Sequence, residues 1–358
     1  MSIYEKGMNR REFIVKSLMA SGLVAGSFLL LSGCSSGSTG TTAKEGKRLK
    51  AAFSNAGLQA TWCAQGKDTV ERWGKWLGVD ITWYDGALSV DKQRAAVEDM
   101  ATKDWDFVAI QPLGIGTLNE PVKKMLERGI PVIDMDTMIA QPGELPITCF
   151  IAPDNVWGAE QVTEALMQAI GGKGNVVMTQ GSLGHTGAQG RAQGFHNVIK
   201  RYPDVKVIDE TPADFDVNKV AQIWENLLNR YDKIDAAYFH NDDMALAAYQ
   251  VIKNAGREKE IKIGGNDGMQ PAVEAVQKGI MVATARNSAP RIHWGALMIG
   301  YYAATEKDAN KKIPPFILAD GPIITYNVDQ SNKQPWLNKG YGQSLAPGLI
   351  WQEDHFMV

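Results

Sequence analysis

The sequence predicts an α/β protein of two lobes, each a doubly wound parallel sheet with helices on both faces. From Leu49 onward, short apolar runs alternate with longer amphipathic stretches, which is typical of strands and helices that follow one another in a parallel sheet. The ten apolar runs are too many for one compact sheet, and they fall into two series of five. A chain of 358 residues is long enough for two units with separate cores.

The predicted strands and helices follow in chain order. In the helical pattern at 91–103, we expect Val97, Met100 and Ala101 to share one face with the preceding Val90. Gly129 precedes a strand and predicts the end of a helix, and the glycines at 171–174 do the same without the spacing of a phosphate-binding loop. The strands are 49–53, 79–84, 107–111, 131–135, 147–152, 175–180, 205–210, 235–240, 261–265 and 280–285, and the further helices are 119–128, 156–170, 188–201, 217–230 and 243–255.

Composition excludes several classes of protein. The chain is 44% hydrophobic and 22% charged, which indicates a globular protein rather than a disordered one. A formal net charge of −3 argues against a large nucleic-acid-binding surface, and three cysteines exclude a disulfide-rich scaffold. No apolar run reaches the roughly 20 residues of a membrane-spanning helix, so a multi-pass membrane protein is excluded.

The first 34 residues are typical of an export signal. Arg10 and Arg11 precede an apolar run that extends from Leu18 to Leu31, as in a twin-arginine signal peptide. The run ends in Leu-Ser-Gly-Cys at 31–34, which resembles a bacterial lipobox, and Cys34 is the expected lipid-modified residue. We therefore expect a signal peptide over 1–33 and a lipidated cysteine with a flexible tether over 34–48. The mature protein is expected outside the cytoplasm and attached to a membrane only through its lipid.

Cys63 and Cys149 remain in the mature chain, in an oxidising compartment. Both fall in the first predicted lobe, so a disulfide between them is possible. The geometry of a disulfide is strict, and the sequence does not reveal the distance between the two residues.

Polar and aromatic residues follow most of the predicted strands. Open α/β sheets bind ligands at the carboxyl ends of their strands, so these positions form the candidate site. Carboxylates and carboxamides bond hydroxyl groups, and aromatic faces cover the C–H surface of a sugar ring, which favours a neutral polyhydroxylated ligand. The strand-end residues are Asn55, Trp62, Asp136, His185, Gln189, Arg191, Phe215, Asn241, Asp267 and Asn287.

Some polar residues have a structural explanation. Asp242 and Asp243 begin a helix and are expected to be caps rather than ligands, and Asp216 is the expected cap of the helix at 217–230. The five histidines show no metal-binding spacing, and no nucleophile elbow occurs. The sequence therefore predicts no metal site, no cofactor and no enzymatic activity, although two carboxylates could in principle act as acid and base.

Six segments between Leu49 and Val328 resemble the type I periplasmic binding proteins of sugar ABC importers, in the style of the ribose- and galactose-binding group. The resemblance rests on their combination, since none of them is specific alone. The segments are Val90-Asp91-Lys92-Gln93, Gly129-Ile130-Pro131-Val132, Gly190-Arg191-Ala192-Gln193-Gly194-Phe195, Pro212-Ala213-Asp214-Phe215-Asp216, Asn241-Asp242-Asp243-Met244-Ala245 and Gly265-Asn266-Asp267-Gly268.

The resemblance implies two lobes joined by a three-segment hinge that close on a monosaccharide. One lobe is expected to comprise 49–152 with 288–322, and the other 153–287 with 323–350. The residues that the resemblance carries over to sugar contacts are Asp136, Phe215, Asn241, Asp267 and Asn287.

Three departures from the family pattern bear on the ligand. Thr137 and Gln189 stand where ribose binders tend to have arginines, which argues against ribose itself. Trp62 lies in a loop that replaces the family's Asn-Pro-Phe-Phe segment, and we expect its ring to stack on the ligand. Arg191 matches the arginine before the Gly-Phe pair, and either a structural or a ligand-binding role fits it. Another pentose, a hexose, a deoxy-sugar or a polyol fits the site as well as ribose.

The resemblance favours a monomeric lipoprotein that captures a sugar or polyol and delivers it to an ABC permease with its ATPase. A sensory receptor for a chemoreceptor or a quorum-sensing kinase is the alternative. A transcriptional regulator is disfavoured by the lipobox and by the missing helix-turn-helix, and a secreted carbohydrate-active enzyme would have to turn over a sugar.

Overall fold

In the computed structural model, which describes residues 48–319, 323–325 and 342–344, thirteen strands form two sheets. The expected signal peptide and Cys34 lie outside these residues. In chain order, the strands are β1 (Leu49–Asn55), β2 (Val79–Asp85), β3 (Phe107–Ile110), β4 (Val132–Met135), β5 (Cys149–Ala152), β6 (Gly174–Thr179), β7 (Val205–Asp209), β8 (Ala236–Phe239), β9 (Lys262–Asp267), β10 (Met281–Arg286), β11 (Phe316–Leu318), β12 (Ile323–Thr325) and β13 (Gly342–Ser344).

The helices of the described residues connect these strands. The predicted strands overlap β1–β10, while β11–β13 and the helices at 61–77, 270–277 and 289–305 were not assigned from the sequence. The helices are α1 (Thr61–Leu77), α2 (Val90–Met100), α3 (Asn119–Glu127), α4 (Asn155–Ala169), α5 (Thr186–Ile199), α6 (Val217–Arg230), α7 (Asp242–Asn254), α8 (Gln270–Gln277) and α9 (Ala289–Thr305).

Each sheet belongs to one lobe. The first has the strand order β11-β5-β4-β3-β1-β2, and the second has the order β13-β12-β10-β9-β8-β6-β7. The pairs within them are parallel except that of β10 with β12. The chain passes between the sheets three times, after β5, after β10 and between β11 and β12. The predicted fold of two parallel-sheet lobes with a three-segment hinge is confirmed. The lobe boundaries stay a prediction, because 320–322 and most of 326–350 lie outside the described residues.

Side chains at the helix starts explain where several helices begin. Asp216 accepts a hydrogen bond from the backbone nitrogen of Asn218 at 2.8 Å, so the predicted cap of α6 is confirmed. Asn241, rather than either following aspartate, caps α7 by accepting from Met244 N at 2.9 Å. Ser288 caps α9, the helix that carries the chain back onto the first sheet.

Apolar side chains fill both faces of each sheet. All four residues of β3 are buried in the first sheet, and those of β8 are buried in the second. Trp224 of α6 is buried against Phe239, so it packs in the core of the second lobe. Cys63 and Cys149 are free thiols in the first lobe, so the possible disulfide is absent. Burial raises the pKa of both thiols, that of Cys149 to about 12.

No helix among the described residues has the length and apolar character needed to cross a membrane.

The contact between α1 and α9 allows no side chain at Gly66. A Cβ built there would overlap the imidazole of His293. Alanine is about 1 kcal/mol better than glycine in a helix. We nevertheless expect Gly66→Ala to lower the free energy of unfolding by about 1–3 kcal/mol, because a packed core accommodates an inserted methyl poorly. Urea denaturation measures this change.

The double variant Gly66→Ala/His293→Ala supplies the control. Removing the imidazole opens space for the new methyl group, so alanine at 66 should then be neutral or stabilising relative to His293→Ala alone. An equal loss in both backgrounds would contradict the proposed overlap.

Candidate functional site

The candidate site lies between the lobes, where the carboxyl ends of strands from the two sheets face each other. Asn55 ends β1 and Asp136 follows β4 in the first lobe, while Asp267 ends β9 in the second. Asn287 follows β10 at the second crossing between the lobes. All four side chains are buried although they are polar, so they require hydrogen-bond partners.

Asp136 is held by two side-chain amides. Its Oδ2 accepts from Gln111 Nε2 at 2.9 Å, and its Oδ1 accepts from Asn287 Nδ2 at 2.8 Å. Its φ of 61° lies in the left-handed region, which aspartate tolerates better than most residues. The carboxylate is therefore fixed in orientation between β3 and the hinge.

Trp62 also contacts the hinge. Its indole Nε1 donates to the backbone oxygen of Asn287 at 2.8 Å, and its ring lies 4.8 Å from that of His293 between centroids. Asn55 donates through Nδ2 to Cys63 O at 3.3 Å, one residue further along α1. Trp62, Asp136 and Asn287 thus form one hydrogen-bonded group, with Asn55 beside it.

Two acceptors in this part of the site have no hydrogen-bond partner among the described residues. They are the carboxamide oxygens of Asn55 and Asn287, and both are buried. A buried carbonyl oxygen without a donor costs about 1–3 kcal/mol. A bound molecule with hydroxyl groups could supply the missing donors.

Arg191 organises the second lobe's side of the site. Its Nη2 donates to Asp267 Oδ1 at 2.9 Å, its Nε donates to Asn155 Oδ1 at 2.9 Å, and its Nη1 donates to the carbonyl of His240. Both members of the ion pair are buried. Burial raises the pKa of Asp267 to about 7, with the Arg191 charge opposing and the Asp136 charge adding to the rise.

Phe215 and His185 form an aromatic edge on the same lobe. Their ring centroids are 5.0 Å apart, and the Phe215 ring occupies the space above Gly181 that a Cβ would fill. His185 caps α5 by accepting from Ala188 N through Nδ1 at 3.2 Å. Burial lowers its pKa to about 4, although the charge of Asp136 raises it. The ring is therefore a neutral acceptor at neutral pH.

Two sequence-predicted residues are placed differently. Gln189 is exposed, and its side chain donates to Leu183 O at 2.9 Å, outside the buried group. The carboxamide oxygen of Asn241 serves as the cap of α7, so only the rest of that side chain is available for another contact.

Two residues of the site, Gln111 and Asn155, are not among the positions predicted from the sequence. Gln111 follows directly after β3, so the same strand-end rule that found Asp136 points to it. Asn155 orients Arg191 from the start of α4, and no local sequence signal indicates that role.

Within the described ranges, no three histidine, cysteine, aspartate or glutamate residues cluster closely enough to hold a metal ion. The site instead combines carboxylate and carboxamide acceptors with a neutralised arginine and two aromatic rings. Such a set suits a small neutral molecule with several hydroxyl groups.

Residues 51–308 match the family model described as a periplasmic binding protein domain. The xylitol-binding protein of Mycolicibacterium smegmatis is 27% identical over 227 residues, which span 63% of this chain and 64% of that protein. The match thus covers slightly less than two thirds of that relative. The D-allose-binding periplasmic protein of Escherichia coli is 28% identical over 272 residues, 72% of this chain and 86% of that protein.

The fold is also similar to that of a domain from a two-component system. The fructose-binding periplasmic domain of a hybrid two-component system superimposes with a TM-score of 0.69 at 25% sequence identity. The similarity covers 82% of this chain and 98% of that domain.

We expect acid to destabilise the protein through His185. Its pKa is lowered to about 4 from the ordinary value of 6.5, so the unfolded chain takes up the proton first as the pH falls. The stability that the neutral ring contributes is present above pH 6.5 and is lost as the pH falls towards 4. This loss is on the order of 3 kcal/mol.

The variant His185→Asn keeps a side-chain acceptor for the cap of α5 but does not titrate. Urea denaturation at neutral pH and near pH 4.5 should therefore show a steeper loss of stability in the wild type than in this variant. The same pH dependence in both proteins would refute the role assigned to His185.

Proposed function

Since the chain belongs to the periplasmic binding protein family, we propose that it captures a neutral monosaccharide or polyol between its lobes and delivers it to an ABC permease. Members of this family bind solutes and do not transform them, so the protein is not an enzyme. The carboxylates of the cleft then act as hydrogen-bond acceptors and not as an acid and base pair.

The buried acceptors without donors carry the proposal. Asn287 donates to the carboxylate of Asp136, and Asn55 ends β1, the strand beside β3 that leads to Gln111, the second donor to Asp136. The carboxamide oxygens of Asn55 and Asn287 and this carboxylate therefore offer acceptors at neighbouring strand ends. Hydroxyl groups of a ligand donate to such oxygens, and charge-assisted bonds to a carboxylate are the stronger ones. A ligand without hydroxyl or amine donors would leave the acceptors unsatisfied.

The predicted arginine of the site is paired with a carboxylate, and the two positions where ribose binders tend to have arginines carry uncharged residues, which supports an uncharged ligand. Arg286, which is also buried, donates to the backbone oxygens of Asp267 and Gly268. All three nitrogens of Arg191 have acceptors within the protein, and one of these is the carboxylate of Asp267. Thr137 donates its hydroxyl to Pro112 O at 2.7 Å, and Gln189 points to solvent. With no uncommitted cation at these positions, the cleft favours a sugar or polyol over an anionic sugar acid or phosphate.

Binding is coupled to closure because the acceptors belong to both lobes. A ligand that bonds Asp136 and Asp267 together favours the closed arrangement by the difference in contacts between the closed and open states. The closed form would be the one that the permease and its ATPase complex recognise. We propose that the protein acts as a monomer in this role.

The location follows from the sequence of the N-terminal segment. We propose that residues 1–33 direct twin-arginine export and are removed, and that Cys34 then carries the lipid. Residues 35–48 would tether the lobes to the membrane surface without crossing it. The family match supports an exported, periplasmic protein.

A sensory receptor is the second candidate, and the fructose-binding sensor domain with the same fold favours it. The two roles differ in what a deletion of the gene removes. Loss of uptake of the bound sugar supports transport, whereas unchanged uptake with a lost transcriptional or chemotactic response supports sensing.

We expect the processed protein, purified in mild detergent, to gain thermal stability with one or two related compounds from a panel of pentoses, hexoses, deoxy-sugars and polyols that includes xylitol, D-allose and D-fructose. A ligand at about 100 times its dissociation constant adds roughly 2.7 kcal/mol, which raises the melting temperature by a few degrees. Calorimetry should then show at least tenfold weaker binding by Asp136→Asn, because a charged acceptor is lost.

The matched control is Asp91→Asn, which removes a carboxylate from an exposed position at the start of α2. It should bind as the wild type does. A panel without any shift would refute the sugar or polyol assignment, and unchanged binding by Asp136→Asn would place the ligand elsewhere.

A further inference from the structure

The lobes are joined at the rim of the cleft by hydrogen bonds that involve none of the proposed ligand contacts. In each of three, a backbone N–H of the first lobe donates to an acceptor of the second. Thr61 N donates to Asp243 Oδ2 at 2.8 Å, and Ile115 N and Met138 N donate at 2.9 Å to Gly184 O and Thr186 Oγ1. The acceptors lie beyond two different strands, β8 and β6, so the bonds form at separate places along the rim.

The hydrogen bond from Thr61 N gives α1 the capping acceptor that its own N-terminal residues do not supply. Thr61 is the first residue of α1, its N-cap position is Ala60, and no side chain of its own lobe accepts a hydrogen bond there. The first turn contains no acidic residue either. Alanine is a poor N-cap, and the N-terminal end of a helix carries a partial positive charge. The carboxylate of Asp243 therefore caps α1 from the opposite lobe.

Asp243 is not required as the cap of its own helix. Asn241 already caps α7, and the neighbouring Asp242 is buried, where it accepts from Thr284 Oγ1 at 2.7 Å and Met269 N at 2.8 Å. Asp243 is partly exposed and faces the other lobe. The two adjacent aspartates thus have different tasks, one within the second lobe and one between the lobes.

We propose that Asp243 is a closure latch, a residue that stabilises the closed lobes by capping α1 and does not touch the ligand. Of the three rim acceptors it is the charged one, and charge-assisted hydrogen bonds are roughly twice as strong as neutral ones. The cap is available to α1 only when the lobes are together, so its free energy adds to the closed state alone. Because Trp62 follows Thr61, the same bond positions the indole that contacts the hinge.

The latch rests on the fold and these contacts, and its effect on ligand release rests also on the proposed function. Once a ligand is bound, opening must break the cap, so the latch slows dissociation and leaves the encounter of ligand with the open form unchanged. Salt should weaken it, since the carboxylate is partly exposed.

Hydrogen exchange measured by mass spectrometry tests the latch on the processed protein, without and with xylitol, D-allose or D-fructose. Protection at the amides of Ile115 and Met138 reports closure, because their acceptors are untouched by a change at Asp243. We expect Asp243→Ala to speed exchange at both amides about fivefold or more. Asp243→Asn, which keeps an oxygen acceptor without the charge, should lie between this variant and the wild type.

Asp91→Ala is the matched control, because Asp91 is the second residue of α2 as Asp243 is of α7, and it is exposed. It removes the same favourable charge from a helix start without a bond between lobes, so exchange at both amides should stay as in the wild type. If Asp243→Ala speeds exchange only at residues near Thr61, Asp243 is a local cap of α1 and the proposed latch is refuted.

Unprotected amides in the wild type under all conditions would also overturn it, because the closed state would then not form. If no compound of the thermal-shift panel stabilises the protein, but the Asp243 variants still change hydrogen exchange in the ligand-free protein as expected, only the proposed ligand class is refuted.

Discussion

The hydrogen bonds of Asn287 tie the hinge to the first lobe, and the arrangement of the cleft depends on them. Its side chain donates to Asp136, and its backbone oxygen accepts from the indole of Trp62. The carboxylate that offers acceptors to a ligand and the ring expected to lie against that ligand are thereby positioned relative to one segment of backbone. Because this segment connects β10 to α9, a change in hinge angle moves both contacts together.

The charge distribution of the cleft is set mainly by the buried ion pair between Arg191 and Asp267. The buried guanidinium of Arg191 faces the carboxylates of Asp267 and, at longer range, Asp136. Burial lowers the pKa of Arg191, and the two carboxylate charges outweigh this effect and raise it. A buried ion pair contributes little net stability, but it can fix geometry. Here it fixes the Asp267 carboxylate and pairs the charge of Arg191 with it. The other buried arginine of the cleft, Arg286, donates to the backbone oxygens of Asp267 and Gly268.

Much of the fold could be predicted from the sequence because buried parallel strands and amphipathic helices have distinct periods. The strands β1–β10 are predictable because most are compact apolar runs, and β2 and β7 alternate polar with apolar residues as half-buried strands do. α9 was not found, because ten of its residues are buried and its apolar surface is too wide to show a helical period. The three-residue strands β11–β13 are too short to carry a pattern.

The site was predictable to the extent that the carboxyl ends of parallel strands meet at one edge. Asp136, Asp267 and Asn287 were located in this way. Which of the strand-end side chains face the cleft depends on the local helix geometry. The strand-end rule therefore predicts Gln189, whose exposed side chain bonds Leu183 O, and the sequence does not distinguish Gln111. Contacts between the lobes join residues that are far apart in the sequence, such as Thr61 and Asp243, and no local sequence pattern predicts which residues meet.

Mutations in the two lobes have unequal effects on the hydrogen bonds at the rim of the cleft. All three donors of the first lobe are backbone N–H groups, which only a substitution by proline removes, whereas two of the acceptors are side chains of the second lobe. Amino-acid substitutions in the first lobe can therefore alter ligand preference with little effect on the stability of the closed state. Substitution of the side-chain acceptors in the second lobe would instead change how long a ligand stays bound. A set of such variants could serve as biosensors that share one specificity and differ in response time.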